Sequence, residues 1–228
     1  MKILLIAGHG QGDPGAVGSG YKEADLTREV VKLLKSRLDN YADVTIADTT
    51  KNWYKYENRA NFDFTPYDYV LEIHFNAAAN DAVGNGKTTG TEIYITKSEK
   101  TYGVEENIIN NIASLGFRNR HLNSKGEFEP KPANYTVIYY VKSRGVSSAL
   151  LEVCFIDDKD DMKLYQSKKA EVIKAIANGI VKGFSLKPKY DAITIIKEKI
   201  GLEQQTIEYL QAYKYGKELI EKIANAVK

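Results

Sequence analysis

The 228-residue sequence contains a single cysteine, Cys154, and this scarcity excludes two kinds of stabilising chemistry. One thiol cannot form an intrachain disulfide, and it cannot supply the several thiolates of a cysteine-rich metal cluster. Because Cys154 lies inside an apolar segment, the sequence predicts a buried, unreactive thiol rather than a nucleophile. The chain must therefore be stabilised by a hydrophobic core, and it is long enough to bury a substantial one.

Long apolar runs and a strong charge imbalance are also missing. No segment approaches the roughly 20 consecutive apolar residues that cross a bilayer, so the sequence predicts no membrane span. The formal net charge is only +2 and no long basic run occurs, which argues against nucleic acid as a partner. Met1 leads directly into a strand-like segment that lacks the regions of a secretory signal. We therefore expect synthesis in the cytoplasm without a signal peptide.

The sequence does contain an alternation of short apolar runs, which predict strands, with amphipathic stretches, which predict helices. This alternation indicates an α/β fold with a mixed, mostly parallel twisted sheet flanked by helices. A loop rich in Gly, Asn and Ala is predicted at 76–89. The predicted strands are 2–7, 44–47, 68–75, 92–95, 136–141 and 148–155, and the predicted helices are 23–38, 52–62, 104–115 and 170–184.

A domain boundary is predicted at Lys187-Pro188-Lys189, because Pro188 disfavours helix in the residue before it. Residues 1–186 then form the larger domain, and residues 187–228 form a small C-terminal helical appendage of two or three short helices. An appendage of this size has a thin core on its own. We expect it to dock on the larger domain, to pair with another copy or to bind a partner.

Two of the three histidines follow apolar runs, at positions where buried strands would end. His9 follows the first run and His74 lies near the end of another, while Glu23 opens the helix after the first strand and Glu152 lies within a third apolar run. Ligands bind at the carboxyl ends of parallel strands. Imidazoles and carboxylates converging there favour a divalent metal, with zinc preferred, and indicate a hydrolase more than a binding module.

Each of these residues also has a simpler interpretation when it is taken alone. A histidine after a strand is often a turn or core residue. Glu23 suits the first turn of a helix, where an acid complements the helix dipole. Glu152 would be tolerated in an apolar strand as one half of a buried ion pair. It is the conjunction of the four residues that indicates a site.

The segments around these positions resemble the motifs of a known enzyme family. They are His9-Gly10-x-Gly12-Asp13-Pro14-Gly15-Ala16, Glu23, Arg59-Ala60-Asn61, Glu72-Ile73-His74-Phe75-Asn76-Ala77 and Leu150-Leu151-Glu152-Val153-Cys154-Phe155-Ile156-Asp157-Asp158. In this order they are similar to the zinc-dependent N-acetylmuramoyl-L-alanine amidases of the amidase-3 family, which are bacterial cell-wall enzymes and phage endolysins. The resemblance spans residues 2–184, and it implies a phosphorylase/hydrolase-like fold. The sequence departs from the family pattern at Ala7, where an Asp is frequent, and in the insertion-like stretch 118–134.

The resemblance implies that His9, Glu23 and His74 bind one Zn²⁺, and that Glu152 is the catalytic acid/base rather than a ligand. It also implies hydrolysis of the amide bond between N-acetylmuramic acid and L-alanine in peptidoglycan, which lyses the cell wall. Asn76 and His121 are expected to contact the substrate. The alternatives for these two are a simple turn residue and a solvated loop histidine.

The same resemblance implies a biological setting. Without a recognisable signal peptide, the chain is expected to be a phage or prophage endolysin released through a holin, with a sporulation lysin as the alternative. Residues 1–186 would form the amidase domain, and residues 187–228 would target the wall, form a homodimer through their helices or dock. Two other functions stay open here: a zinc carboxypeptidase-like hydrolase, and a non-catalytic wall-binding module on a degenerate amidase scaffold.

Overall fold

The computed structural model describes residues 1–78, 84 and 86–227, and the chain divides into two compact units. The first unit is Met1–Leu186 and the second is Lys187–Lys228. Part of the loop predicted at 76–89, namely residues 79–83 and 85, lies outside the described residues.

A six-stranded sheet forms the centre of the first unit, and a short two-stranded hairpin lies apart from it. The strands are β1 (Lys2–Ala7), β2 (Val17–Gly18), β3 (Tyr21–Lys22), β4 (Asp43–Ile46), β5 (Tyr69–Asn76), β6 (Glu92–Ile95), β7 (Lys131–Pro132) and β8 (Ser147–Phe155). The sheet order is β4-β1-β5-β8-β6-β7, and only β6 and β8 pair antiparallel within it. This mixed, mostly parallel sheet confirms the predicted fold class.

Helices cover both faces of the sheet, because its central strands are apolar on both sides. Ile3 and Leu5 of β1 belong to one buried cluster, whereas Leu4 and Ile6 belong to another, as expected when successive side chains point to opposite faces. The helices of this unit are α1 (Glu23–Leu38), α2 (Tyr56–Ala60), α3 (Gly103–Ala113), α4 (Thr136–Ser143), α5 (Lys159–Ser167) and α6 (Lys169–Gly183). Buried residues of α1, α3 and α6 share the first cluster, and buried residues of α4 share the second.

The structure corrects the strand predicted at 136–141, which is the helix α4. Valine, isoleucine and tyrosine fill this segment, and these residue types favour strands. In the structure Val137 and Val141 lie one helical turn apart and are buried in the same cluster as Leu4 and Val70 of the sheet. Burial of this apolar stripe therefore outweighs the intrinsic preference of the residues.

Other element boundaries also differ from the sequence prediction. The helix predicted at 52–62 is confined to α2, and the pattern did not predict β2, β3, β7 or α5. A side-chain cap explains where α5 begins, since Asp158 Oδ1 accepts a hydrogen bond from the Asp161 backbone N–H at 2.8 Å. The helix predicted at 170–184 matches α6 closely.

Three short helices form the second unit, as the spacing of its isoleucines predicts. They are α7 (Ala192–Ile200), α8 (Gln204–Ala212) and α9 (Gly216–Ala226). Their buried core contains Ile195, Ile196, Ile207, Ile220 and Ala224. Across the described part of both units, every helix is too short or too polar to cross a membrane.

A buried tyrosine–glutamate pair lies at the amino-terminal end of β5, away from the polar edge of the sheet. Tyr69 donates a hydrogen bond from its hydroxyl to Glu105 Oε1 at 2.7 Å, and the two residues are 1% and 4% exposed. Burial raises the pKa of Glu105 above its ordinary value, although the Tyr69 hydroxyl partly opposes this. The folded protein therefore binds a proton at Glu105 more tightly than the unfolded chain does.

This shift predicts a specific pH dependence of stability. The pKa of Glu105 is higher in the folded protein than in the unfolded chain. The stability that Glu105 contributes is therefore fully present below its unfolded-state pKa, and it is lost as the pH rises through its folded-state pKa. Glu105→Gln keeps an oxygen acceptor for Tyr69 and removes the titration. We expect its free energy of unfolding, relative to wild type, to rise as the pH increases above the ordinary carboxyl pKa, as measured in denaturant titrations. Glu106→Gln, one position along α3, is the control, and parallel wild-type and Glu105→Gln profiles would contradict the prediction.

Candidate active site

The polar residues singled out from the sequence converge at the carboxyl edge of the sheet. β1 and β5 are parallel neighbours with Ala7 opposite Ile73, so His9 and His74 emerge at the same edge. The glycine-rich loop after β1 folds back, and its Ala16 carbonyl accepts a hydrogen bond from the Glu23 backbone N–H at 2.9 Å. The first residue of α1 is thereby brought beside the two histidines.

Glu23 lies between the two imidazoles. His9 Nε2 is 3.0 Å from Glu23 Oε2, and His74 Nδ1 is 2.8 Å from Glu23 Oε1. The two rings meet edge to face, with centroids 5.0 Å apart and planes at 79°. One ligand atom from each of the three residues lies within 4.8 Å of the other two. Two imidazole nitrogens and one carboxylate form a donor set suited to a divalent metal with an open coordination position.

A second set of carboxylates lies beside the other ring nitrogens of the two histidines. His9 Nδ1 lies 2.9 Å from Asp13 Oδ2, which also accepts a hydrogen bond from Asn52 Nδ2 at 3.0 Å. His74 Nε2 lies 3.1 Å from Glu72 Oε1. Carboxylates in these positions orient metal-binding imidazoles and raise their basicity. Sequence reasoning assigned no role to Asp13, Asn52 or Glu72.

Glycine at two positions leaves room for these side chains. A Cβ added to Gly8 would lie 2.3 Å from His74 Cε1, and one added to Gly15 would lie 2.6 Å from His9 Cδ2 and 2.7 Å from Glu23 Oε2. Gly15 also has a φ of +67°, a conformation that glycine adopts most readily. The backbone is thus closely fitted around the three donor residues.

The electrostatics of this centre favour positive charge. Burial alone raises the pKa of Glu23, but hydrogen bonds with His74 and His9 outweigh it and lower the pKa well below its ordinary value. Burial lowers the pKa of His74, yet Glu23 and Glu72 together raise it well above the usual histidine range. The same groups that favour a proton on the imidazoles would stabilise a bound cation, so the residues present fit a divalent metal.

Glu152 stands beside this centre without belonging to the donor set. It pairs in register with His74 across β5 and β8, and with Glu92 across β6 and β8. Its Oε2 atom is buried and has no hydrogen-bond partner among the described residues. Burial raises the pKa of Glu152 to about 7, with the nearby acids Glu23 and Glu92 adding to the effect and His74 opposing it. Such a carboxyl exchanges protons readily near neutral pH.

Asn76 lies at the end of β5, two residues beyond His74. Its Nδ2 donates a hydrogen bond to Glu92 Oε2 at 3.1 Å, and its Oδ1 accepts one from the Ala77 backbone N–H at 2.8 Å. Asn76 therefore links the end of β5 to the acid Glu92 on β6. Its contact with substrate stays a prediction.

His121 departs from both expectations for it. The residue is only 1% exposed, so it is not a solvated loop histidine. Its Nε2 accepts a hydrogen bond from the Ile93 backbone N–H at 2.8 Å, and its Nδ1 therefore donates to the Glu129 carbonyl at 2.8 Å. Burial lowers its pKa to about 4, which keeps the ring neutral. With both nitrogens occupied, His121 anchors the 118–134 segment to β6, and we assign it no substrate contact.

Together the fold and the site define a class of protein. A His–Glu–His donor set, oriented by outer carboxylates and flanked by an uncoordinated acid, is typical of metal-dependent hydrolases. The particular family follows from comparison with known sequences. Residues 3–182 match the Amidase_3 family model, described as N-acetylmuramoyl-L-alanine amidase, and the chain belongs to this family.

Individual relatives are similar over most of the chain. The endolysin of Bacillus phage SPP1 is 27% identical over 187 residues, which cover 80% of this chain and 64% of the endolysin. A sporulation-specific N-acetylmuramoyl-L-alanine amidase of Bacillus subtilis (strain 168) is 27% identical over 208 residues, covering 88% of this chain and 74% of that protein. The chain therefore spans less than two thirds of the phage endolysin's length.

The fold is also found in solved structures. The catalytic domain of CwlV, an N-acetylmuramoyl-L-alanine amidase from Bacillus (Paenibacillus) polymyxa var. colistinus, superposes with a TM-score of 0.65 at 21% identity. The match covers 82% of this chain and 99% of that domain. At this level of identity, the likeness shows a common fold.

The close fit of Gly8 against His74 predicts that a single methyl group disrupts the metal-type centre. In Gly8→Ala the new Cβ would displace the imidazole, and we expect affinity for divalent metal to fall at least about tenfold. Elemental analysis after equilibrium dialysis against buffered Zn²⁺ measures the effect. Gly103→Ala is the matched control, because a Cβ there meets nothing within 4 Å. Equal metal affinity in the two variants would contradict the prediction.

Proposed function

We propose that this protein is a zinc-dependent amidase that hydrolyses the bond between N-acetylmuramic acid and L-alanine in peptidoglycan. The observation that carries the proposal is the pairing of the His9–Glu23–His74 donor set with Glu152, a protonatable acid on the adjacent strand. Membership of the amidase family supports this substrate class. The proposed chemistry needs a metal site and a separate acid, and the four residues His9, Glu23, His74 and Glu152 would supply both.

His9, Glu23 and His74 would hold the zinc ion, with Asp13 and Glu72 fixing the two imidazole rings. When bound there, the ion would polarise the scissile carbonyl and lower the pKa of the attacking water. Three protein ligands would suit a catalytic rather than a structural zinc site, because a catalytic site needs a further position for water or substrate.

The role of Glu152 is to move one proton. Its carboxylate takes a proton from water as the water oxygen bonds to the lactyl carbonyl carbon. The carbon–nitrogen bond then breaks, and Glu152 returns the proton to the departing nitrogen of L-alanine. The products are a lactyl carboxylic acid on the sugar and a free α-amino group on the peptide. A pKa of about 7 suits a group that both accepts and donates in one cycle.

Two other functions are separated from this one by their products. A zinc carboxypeptidase-like hydrolase acting on purified peptidoglycan would release terminal D-alanine, whereas an amidase creates new N-terminal L-alanine. A non-catalytic wall-binding module would create neither. The filled positions His9, Glu23, His74 and Glu152 support the amidase over such a degenerate scaffold.

Removing the proton-transfer group should separate chemistry from binding. Glu152→Gln is expected to lower the rate of new N-terminal alanine formation by about a hundredfold or more, because proton transfer contributes on that scale. Zinc content and binding to pelleted cell walls should stay at wild-type levels. Glu127→Gln, which changes an exposed acid on the 118–134 segment, is the control and should hydrolyse normally. Undiminished hydrolysis by Glu152→Gln would refute the assigned role.

The setting we propose is lysis of the bacterial wall by a phage or prophage endolysin, made in the cytoplasm and reaching the wall after holin-mediated release or lysis. Similarity to the SPP1 endolysin supports this setting, and similarity to the B. subtilis sporulation amidase supports the sporulation lysin as the alternative. Dependence of wall lysis on a co-expressed holin, in cells that do not sporulate, distinguishes the two.

We propose further that the Lys187–Lys228 unit binds the wall. It carries Tyr209, Tyr213 and Tyr215 at 80%, 53% and 55% exposure, whereas the isoleucines of its core, Ile195, Ile196, Ile207 and Ile220, are buried. Exposed aromatic rings offer flat apolar surfaces against which sugar rings pack. The competing proposal is that these helices form a homodimer.

Replacing two of these tyrosines tests the unit within the full chain. Tyr209→Ser/Tyr213→Ser is expected to bind pelleted walls about tenfold more weakly, because two stacking contacts are lost. Hydrolysis of a small soluble muramoyl peptide should not change. Tyr139→Ser, at an exposed tyrosine of α4, serves as the control. A wild-type dimer that becomes monomeric in the double variant, seen by sedimentation equilibrium, would favour the homodimer instead.

A further inference from the structure

A second charged cluster lies one strand beyond Glu152, and the mechanism above does not use it. Its centre is Glu92 on β6, which is 2% exposed. Glu92 Oε1 accepts hydrogen bonds from Arg120 Nε and from Lys131 Nζ, the latter at 2.7 Å. Glu92 Oε2 accepts from the Tyr94 hydroxyl at 2.6 Å and from Asn76 Nδ2 at 3.1 Å. Four donors therefore saturate one buried carboxylate.

The charge of this cluster is not balanced. Burial by itself raises the pKa of Glu92, but Arg120, Lys131 and Tyr94 outweigh it and lower the pKa to about 2. Glu92 thus stays anionic and offsets one of the two cations, which leaves one positive charge. The Arg120 and Lys131 side chains are 27% and 30% exposed, whereas that of Glu92 is 3% exposed. The excess positive charge therefore faces solvent.

Both cations keep donors that no described residue accepts. Arg120 directs Nε to Glu92 and Nη1 to the Thr89 carbonyl at 3.4 Å, and its Nη2 donates to no partner among the described residues. The guanidinium also lies over the Phe155 ring, 5.0 Å from its centroid, which fixes its plane. Lys131 uses one of its three ammonium protons on Glu92. A held, partly exposed cation pair with free donors is suited to bind a carboxylate.

The position of the cluster ties it to the scissile bond. Glu92 and Glu152 are register partners, and neighbouring strands lie about 4.8 Å apart. Asn76, at the end of the strand that carries His74, also donates to Glu92. A substrate group bound by Arg120 and Lys131 would therefore lie about one residue's reach from the amide that Glu152 serves.

We propose that Arg120 and Lys131, held by Glu92, form a subsite for a carboxylate of the peptide that leaves the sugar. The inference rests on the proposed amidase function. In peptidoglycan the residue after L-alanine is D-glutamate joined through its γ-carboxyl, so its α-carboxylate is the first charge beyond the scissile amide. We assign this α-carboxylate to the subsite, where it makes charge-assisted hydrogen bonds and determines substrate preference.

A structural role alone would predict something different. If the cations serve only to join the 118–134 segment to β6, then removing one would slow all substrates alike. A binding role predicts a loss confined to substrates that carry the carboxylate. The two interpretations are therefore separated by a pair of substrates that differ only in this group.

The test compares N-acetylmuramoyl-L-alanyl-D-glutamate γ-methylamide, whose α-carboxylate is free, with the same compound in which the α-carboxylate is also an amide. The zinc-loaded full chain is assayed on both, with release of the dipeptide measured by chromatography and expressed as kcat/KM. We expect wild type to prefer the carboxylate substrate about tenfold, the effect of one partly exposed charge-assisted contact. Release of dipeptide from either compound also shows that the proposed amidase reaction occurs, independently of the subsite.

Variants then assign the preference to the cations. Arg120→Gln and Lys131→Met should each reduce the tenfold preference toward unity, mainly by lowering kcat/KM on the carboxylate substrate, and Arg120→Lys should retain part of it. Lys142→Met is the matched control, because Lys142 also pairs with an acid, Glu99, at 2.9 Å. Glu99 contacts Ser147 at the start of β8, which is the opposite end of the strand from Glu152. Lys142→Met should keep the wild-type preference.

Equal kcat/KM of wild type on the two substrates would overturn the proposal, and this comparison does not depend on any variant folding. Equal losses on both substrates in Arg120→Gln and Lys131→Met would also overturn it, in favour of the structural role. Thermal unfolding and zinc content, measured for every variant, identify those that lose structure. As a readout besides turnover, the Glu152→Gln chain should bind the carboxylate compound about tenfold more tightly than the amide by calorimetry.

Discussion

Glu23 is a buried carboxylate whose two oxygens are shared among four partners. Oε1 accepts a hydrogen bond from the Phe75 backbone N–H at 3.0 Å and faces His74, while Oε2 accepts one from the Ala16 backbone N–H at 2.9 Å and faces His9. A buried carboxylate without such partners would be strongly unfavourable. Its contacts therefore hold the loop after β1, the start of α1 and the end of β5 in one arrangement, and the geometry of both imidazoles depends on it.

The sheet supplies the second constraint, because it brings residues that are distant in sequence onto adjacent strands. Positions 9, 74 and 152 are far apart in sequence, yet β1, β5 and β8 are consecutive parallel strands. Register matters as much as order, since a slip of one residue would turn Glu152 to the other face of the sheet. With His74 opposite Glu152, the acid lies one strand spacing from His74, about 4.8 Å. That spacing brings it near the metal-type centre and leaves it outside the donor set.

The features that could be predicted from the sequence are those marked by a pattern within one short segment. Apolar runs that end in His9 and His74, and the acid inside the Glu152 run, indicated both the strands and the convergence of polar groups at their ends. The outer carboxylates were less visible, although Glu72 lies two residues before His74 and therefore on the same strand face. Asp13 shows no such pattern, because its place depends on how the glycine-rich loop folds back.

The structures of the α4 segment and of His121 depend on contacts with parts of the chain that are distant in sequence. The α4 segment has strand-forming residues and becomes a helix because one stripe of them is buried against the sheet. His121 is polar and lies in a polar stretch, yet its ring stacks on Phe128 with centroids 4.8 Å apart and planes at 6°. Cross-strand hydrogen bonding is also non-local, so the Glu92 cluster depends on three segments that no short motif connects.

Glu92 and Glu152 face each other in register, and two like charges in such a pair would repel. The conflict is resolved by different surroundings: four donors keep Glu92 ionised, whereas burial raises the pKa of Glu152 to about 7. Two residues of one type on adjacent strands are thus suited to separate tasks: Glu92 holds two cations, and Glu152 has the pKa that the proton transfer proposed for it requires.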